Sequence, residues 1–256
     1  MRLDPESRAV RWAIFAASVL VGAAIWQFGA RHVNPAVAVP LTATIERLAQ
    51  LTESGELLGA LWSSLVLFGT GLGLAIVAAL PLGLVLARAR RLRIAFTDYI
   101  TLLYALPTVA LIPFILSLFG IDFSAKVLVV FLFAFFAVLY NTVEGARSIR
   151  PELIEVARSF RSPEWALWRD VLIPATLPYA MTGIRQAIGR ALVGMVAAQF
   201  FLAASGIGEL IMNSARDFDT GALLGSVLII ALLGVVLMRL GTALENRFTA
   251  WRGLGR

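Results

Sequence analysis

The sequence predicts an all-α integral membrane protein of six transmembrane helices with both ends on the cytoplasmic side, and three observations carry that prediction. Of its 256 residues 59% are hydrophobic and only 15% charged, a greasier balance than soluble domains show, where the apolar share is nearer half. Charge-free runs recur that are long enough for a bilayer, which a helix crosses in about 20 residues. The arginines, finally, crowd into alternate connecting segments.

The runs Trp12 to Ala30, Leu57 to Ala87, Tyr99 to Ile121, Val127 to Val143 and Thr220 to Met238 carry no charged residue. Each predicts one span. A sixth, from about Tyr179 to Ala203, is interrupted near its start by Arg185 and Arg190 and is otherwise apolar. With an inside N-terminus, Arg2, Arg8 and Arg11 fall inside, as do Arg88, Arg90, Arg91 and Arg93, then Arg147, Arg150, Arg158, Arg161 and Arg169, then Arg239, Arg247, Arg252 and Arg256. Only Arg31, Arg47, Lys126 and Arg216 fall outside, which the positive-inside rule reads as N-in and C-in. Topology thus accounts for the net charge of +6, and with no basic stripe interleaved with aromatics nucleic acid is not the reason for it.

The first run is flanked by arginines and followed by Ala36-Val37-Ala38, yet it exceeds the roughly 7–15 apolar residues of a cleaved secretory signal and reads as a retained helix. Next, Leu41 to Thr52 sets Leu41, Ile45, Leu48 and Leu51 at helical spacing with Glu46 and Arg47 opposite, an amphipathic helix at the outer interface. Small residues four apart mark helix contacts in lipid. Gly69 and Gly73 form one such pair, and Gly183, Ala187, Ala191, Gly194 and Ala198 a longer stripe; both fit an oligomer. The cluster from Gly69 to Gly73 follows no strand and lacks the third glycine of a nucleotide loop. Pro107 and Pro113 interrupt one span and Pro81 sits in another, as static curvature or as hinges.

Several chemistries are excluded. With no Cys and a single His, His32, the chain builds no disulfide, zinc site or Cys-based active site. Its only Lys, Lys126, lies between Ala125 and Val127, so it has no P-loop, which needs Gly-Lys-Ser/Thr. An intramembrane hydrolase needs a nucleophile and base, for which His32 has no evident partner. A proton-coupled carrier needs groups that release protons within its spans, which Arg185 and Arg190 do not. Composition leaves a channel or a carrier subunit as the alternative reading.

The inner segment from Glu144 to Leu177 is the one long inner loop. Pro151 opens a helix at its first turn, where Glu152 and Glu155 are favoured, and Leu153, Val156, Ala157 and Phe160 give it an apolar face. Ser162-Pro163-Glu164 starts a second helix, Ser162 as N-cap, carrying Trp165, Leu167, Trp168, Val171 and Leu172 until Ile173-Pro174 ends it. Such an apolar hairpin needs a cover, either its own helix ends or a partner.

Glu155-Val156-Ala157, followed by Val171, Ile173 and Pro174, resembles the EAA signature of binding-protein-dependent ABC transporter permeases, whose Ile-x-Leu-Pro ends nineteen residues after the Glu, where Pro174 stands. Asn141 to Gly145, Pro151-Glu152-Leu153, Leu177-Pro178-Tyr179, Thr182 to Arg185, Gly189-Arg190-Ala191 and Gly206-Ile207-Gly208 resemble its nitrate/sulfonate/taurine branch. So does Leu106-Pro107 through Pro113.

The resemblance implies a type I importer permease of MetI-like fold in a bacterial inner membrane. It implies one domain over residues 1–256, with a core at about 57–240 and a cytoplasmic coupling loop at 144–177. It also implies a second permease copy in a homodimer, a pair of ATPase subunits that bind ATP and Mg2+, an extracytoplasmic solute-binding protein and contact with membrane lipid. This chain itself needs no cofactor, and the solute is a small organic anion.

The coupling residues so implied are Glu152, Leu153, Glu155, Val156, Ala157, Phe160, Arg161, Ser162 and Trp165; the path candidates are Asn141, Arg190, Met195 and Gln199. Arg190 and Gln199, nine residues apart, fall on opposite helix faces, so at most one contacts solute, with Arg190 favoured. Two departures stand out. Arg161 occupies the Gly position of the signature, so the turn is expected to be shaped by Ser162-Pro163 instead, and Gln199 replaces an acidic residue of the branch.

Overall fold

The computed structural model describes residues 8–201 and 205–249, all of whose regular elements are helical. Arg2, Ala203, Arg252 and Arg256 lie outside the described residues. The helices are α1 (Arg8–Gly29), α2 (Leu41–Glu53), α3 (Glu56–Arg88), α4 (Arg90–Ala105), α5 (Ile112–Phe119), α6 (Phe123–Arg147), α7 (Pro151–Ser159), α8 (Glu164–Leu167), α9 (Ile173–Phe201), α10 (Ile207–Arg216) and α11 (Thr220–Thr249).

Four of them, α1, α3, α6 and α11, are long and apolar enough to cross a membrane. The expected span from Tyr99 to Ile121 is not a straight helix. It is a broken pair, α4 and α5, bent by 90°. Leu106 takes the extended conformation that a following proline imposes (φ −64°, ψ 134°), so α4 stops at Ala105 and Pro107 leads into a 3₁₀ turn. Pro113 breaks nothing, since it lies in the first turn of α5, where its missing N–H is not needed.

α9 is long enough for a span but the least apolar of the long helices, carrying Arg185, Gln186, Arg190 and Gln199. Those side chains are accommodated because α9 is packed in protein. Gly145 lies against Tyr179, Gly183 against Asn141 and Gly194 against Phe133, so α6 and α9 run antiparallel with backbones close together. Gly71 against Val130 and Gly83 against Thr142 set α3 parallel to α6. The stripe from Gly183 to Ala198 is therefore consumed within the chain, buried against α6, and is not an oligomer contact. Gly69 and Gly73, by contrast, face open space, and the residue that packs is Gly71 between them.

At the arginine-rich end, α7 and α8 form the expected hairpin, with one difference. The second helix does not end at Ile173-Pro174. It passes through a π turn at Trp168–Leu172, in which the Ile173 N–H donates to the Trp168 carbonyl, straight into α9. The wider turn absorbs the hydrogen bond that Pro174 is unable to make. The N-cap is Pro163 rather than Ser162, because its carbonyl accepts from the Ala166 and Leu167 N–H groups.

At the opposite end α2 forms as expected but docks on α11 through Leu48 and Leu51, with Ile45 left outside. Arg47, expected on the polar face, donates from Nε to Asp219 at 2.7 Å. Asp219 in turn caps α11, accepting the Ala222 N–H at 2.9 Å. Burial pushes the Asp219 carboxyl up, but the Ala222 N–H, the Arg47 guanidinium and the Gly221 N–H outweigh it and hold the carboxyl below its usual range. A carboxyl depressed by folding stabilises above its unfolded pKa and loses that contribution as pH falls through the folded one. Asp219→Asn keeps a competent cap and removes the charge, so it is expected to lower stability by about 0.5–1 kcal/mol near pH 7 for this partly exposed pair. The difference should close below about pH 4, which thermal denaturation of both proteins in micelles across pH 7 to 3 measures.

Candidate functional site

Two polar regions stand out, one on the arginine-rich end and one inside the bundle. The first is the α7–α8 hairpin. Ile149, Leu167 and Leu172 form its core, with Ile154, Ala157, Trp168 and Val171 packed around them. Leu153, Val156 and Phe160, spaced i, i+3 and i+7, point outward at 50%, 53% and 81% exposure, beside Trp165 at 60%. Ala157 is thus moved off the face to which its spacing assigned it, into the hairpin interior with Ile154. Glu152 and Glu155 are exposed on the first turns of α7.

Arg161 itself makes the turn, at φ 51°. Its N–H donates to the Arg158 carbonyl at 2.8 Å, and the Ser162 N–H to the Ala157 carbonyl at 3.1 Å. This pair of bonds is the Schellman arrangement that usually carries Gly at the left-handed position. The expectation that Ser162-Pro163 would shape the turn instead is corrected: the helix-end bonds hold Arg161 there against about 1–2 kcal/mol of left-handed strain. Arg88 at the end of α3 donates from Nη2 to Glu164 at 2.6 Å, tying the hairpin to the bundle.

The second region gathers where α4, α6 and α9 meet. The Arg190 guanidinium lies 4.0 Å from the centre of the Tyr104 ring, and its Nη1 donates to the Tyr104 carbonyl at 3.3 Å. Tyr104 stacks on Tyr140 with ring centres 4.8 Å apart. The Tyr104 hydroxyl donates to Gln186 Oε1 at 3.2 Å, and Asn141 Nδ2 donates to the same oxygen at 3.2 Å and to the Ala137 carbonyl at 2.8 Å. All five side chains are half-buried. The two arginines of α9 differ sharply in partner. Arg185 donates from Nε to Glu245 on α11 at 2.6 Å, and the Thr182 hydroxyl donates to that carboxylate at 2.6 Å as well. Arg190 has no carboxylate partner among the described residues. Its remaining N–H donors and its full charge are presented from a ring of aromatic and amide groups, a setting suited to an oxyanion.

Of the four path candidates, Arg190 and Asn141 are brought together, bridged by Tyr104 and Gln186. Met195 is wholly buried in the apolar core. Gln199 is 1% exposed and fully engaged, accepting the Gly208 N–H at 2.9 Å and the Ser64 hydroxyl at 3.2 Å on Oε1 and bonding Ser64 Oγ from Nε2 at 2.9 Å. The Ile207 N–H completes the knot by donating to Ser64 Oγ at 2.9 Å. Tyr104, Tyr140 and Gln186 were not among the expected residues. The signal for Gln186 was its i, i+4 spacing to Arg190; Tyr104 sits two residues before Leu106-Pro107, a break whose geometry spacing does not reveal.

The family described as the binding-protein-dependent transport system inner membrane component matches residues 71–250, which hold the hairpin and the whole Arg190 cluster. A protein of Bacillus subtilis named as an aliphatic sulfonates transport permease, SsuC, is 32% identical over 237 residues, covering 90% of this chain and 84% of its own. The taurine transport system permease protein TauC of Escherichia coli is 27% identical over 256 residues, covering 97% and 92%. The formylaminopyrimidine transport permease protein ThiX of Halalkalibacterium halodurans is 28% identical over 229 residues, covering 89% and 91%.

The Gln199 knot yields a stability prediction. Gln199→Leu orphans the buried Gly208 N–H and should cost about 1–3 kcal/mol, whereas Gln199→Glu keeps an acceptor for that N–H and should cost less. Gly206→Ala should be worse than either, because its φ is 108° and a Cβ there would collide with the Gln199 amide. Thermal midpoints of the three purified variants in one detergent rank them.

Proposed function

This chain belongs to the family of binding-protein-dependent transport system inner membrane components, and from that premise we propose how its two polar regions divide the work of an ATP-driven importer. It is the permease subunit of an ABC transporter. The family consists of membrane components without catalysis of their own, so hydrolysis of ATP with Mg2+ falls to separate ATPase subunits. A solute-binding protein delivers the ligand on the outer face, and a second copy of this chain completes the path. The arginine-rich end then faces the cytoplasm of a bacterial cell, with α9 counted as a sixth crossing and both termini inside.

The solute is a small organic anion, and the observation that carries this is the contrast on α9: Arg185 is neutralised by Glu245, and Arg190 has no carboxylate. A cation at membrane depth is costly and is kept where it serves a site. Relatives named for aliphatic sulfonates and for taurine, itself a sulfonate, agree with an oxyanion that replaces part of the solvation of Arg190. ATPase closure reaches the path through the hairpin: its exposed Leu153, Val156 and Phe160 seat in the ATPase, and the π turn hands the movement to α9 without an intervening loop.

Two experiments test this reading. In the reconstituted transporter, Arg190→Gln should cut uptake of the anionic solute by on the order of tenfold or more, from one lost charge-assisted contact of about 1.5–3 kcal/mol. Assembly with the ATPase should be unchanged, and undiminished uptake would remove Arg190 from the path. For the hairpin, Val156→Glu should leave the thermal midpoint unchanged and abolish copurification of the ATPase, because an unpaired charge would enter the contact. Ala157→Glu should lower the midpoint as well, since Ala157 packs inside the hairpin. Retention of ATPase by Val156→Glu would refute the docking.

A further inference from the structure

Among the described residues, α1 is joined to the rest of the chain mainly at its outer end, and there by few contacts. Near the outer end the Trp26 Nε1–H donates to the Val39 carbonyl at 3.1 Å, and Gln27 exchanges two hydrogen bonds with Thr42 at the start of α2. From Arg11 to Leu20 the helix is exposed on every side, with Ile14, Val19 and Leu20 all open. Between that end and α11 is a cavity of about 550 Å³ lined by Arg11, Trp12, Phe15 and Arg239.

The composition of this cavity is specific. Two arginines from different helices line the inner end of this space, and neither side chain has a hydrogen bond or ion pair among the described residues. Two like charges facing one space repel each other unless an anion lies between them. Trp12 and Phe15 give the same space an apolar wall on the membrane side, the arrangement of an interfacial aromatic beside headgroups. Further into the membrane, exposed Val19 on α1 and Val235 and Val236 on α11 supply surface for acyl chains.

We propose that this wedge is a binding site for one anionic phospholipid of the inner leaflet, its phosphate held between Arg11 and Arg239 and its chains lying along Phe15 and the apolar flanks of α1 and α11. The guanidinium forks fit phosphate oxygens in pairs. A zwitterionic lipid fits less well, because its ammonium group would be brought near two guanidinium cations. The lipid fastens α1 to α11 across the space between Arg11 and Arg239. The site does not depend on the solute assigned above.

The test uses the full-length permease purified in detergent, titrated with dioleoyl phosphatidylglycerol or dioleoyl phosphatidylcholine and examined by native mass spectrometry. Wild type should retain the phosphatidylglycerol about tenfold or more tightly than the phosphatidylcholine, given ~1 kcal/mol per basic residue at a membrane surface. Arg11→Gln with Arg239→Gln should abolish the preference without lowering the thermal midpoint in phosphatidylcholine, and inorganic phosphate should not compete. Equal retention of the two lipids by wild type, or a preference that survives in the double variant, overturns the proposal. Because the chain has no Cys of its own, Phe15→Cys reports the rival occupant. Efficient crosslinking of two permeases through that position, with no lipid preference, means that a second copy fills the wedge and overturns it as well.

Discussion

The arrangement depends on one constraint, that polar atoms at membrane depth must find partners in protein because hydrocarbon supplies none. α9 carries more of these atoms than any other long helix, so its neighbours are chosen by them. Arg185 requires Glu245 on α11, Gln186 and Arg190 require α4 and α6, and Gln199 requires α3 and the start of α10. The glycines and alanines along α9 make these contacts reachable, since only a bare helix surface lets α6 approach until Asn141 is within hydrogen-bonding distance of Gln186. Packing and polarity are one device here.

Much of this was legible in the residues, and the boundary of legibility is physical. Runs as long as those of α3, α6 and α11 announce themselves because a bilayer sets a length and tolerates no charge. The hairpin was visible because Pro151 and Pro163 each mark a helix start. What periodicity does not carry is direction within a cluster. Ala157 shares the spacing of Leu153 and Phe160 closely enough to be assigned with them, yet it lies at the edge of that face, about 100° around the helix from Val156, and packs toward Leu167 and Leu172. The same limit hid the fate of Gln199: an amide in an apolar run signals a partner or a ligand, and only the fold shows Ser64, 135 positions away, closing the bond. α10 was missed for another reason. Its Ile207, Leu210, Ile211 and Ser214 form a clear buried face, but the helix is too short to stand out beside spans three times its length.

The hairpin shows how a departure from a family pattern is absorbed. Arg161 is bent into a conformation that glycine adopts freely, and the two backbone hydrogen bonds that close α7 hold it there. The side chain that glycine would lack is exposed, so it clashes with nothing. Continuity matters more than the turn itself: from Glu164 to Phe201 the backbone is helical throughout, by way of the π turn. A displacement of the exposed apolar face is therefore a displacement of the helix bearing Arg190, and the Arg88 to Glu164 ion pair spreads it to α3.

The break at Leu106-Pro107 has an electrostatic effect on Arg190. Because α4 stops at Ala105, its last carbonyls have no successors to bond, and the end of the helix carries a negative partial charge of roughly half an electron. Arg190 donates to one of those carbonyls, that of Tyr104. Its charge is thus neither bare nor cancelled: it is held by a fractional countercharge fixed in the backbone, unlike Arg185, which is matched by a whole carboxylate. An incoming anion would have to compete with the helix end for the guanidinium, so it would meet a tempered attraction. If Arg190 takes the part proposed for it, release of the anion is better served by that intermediate strength than by a fully exposed cation.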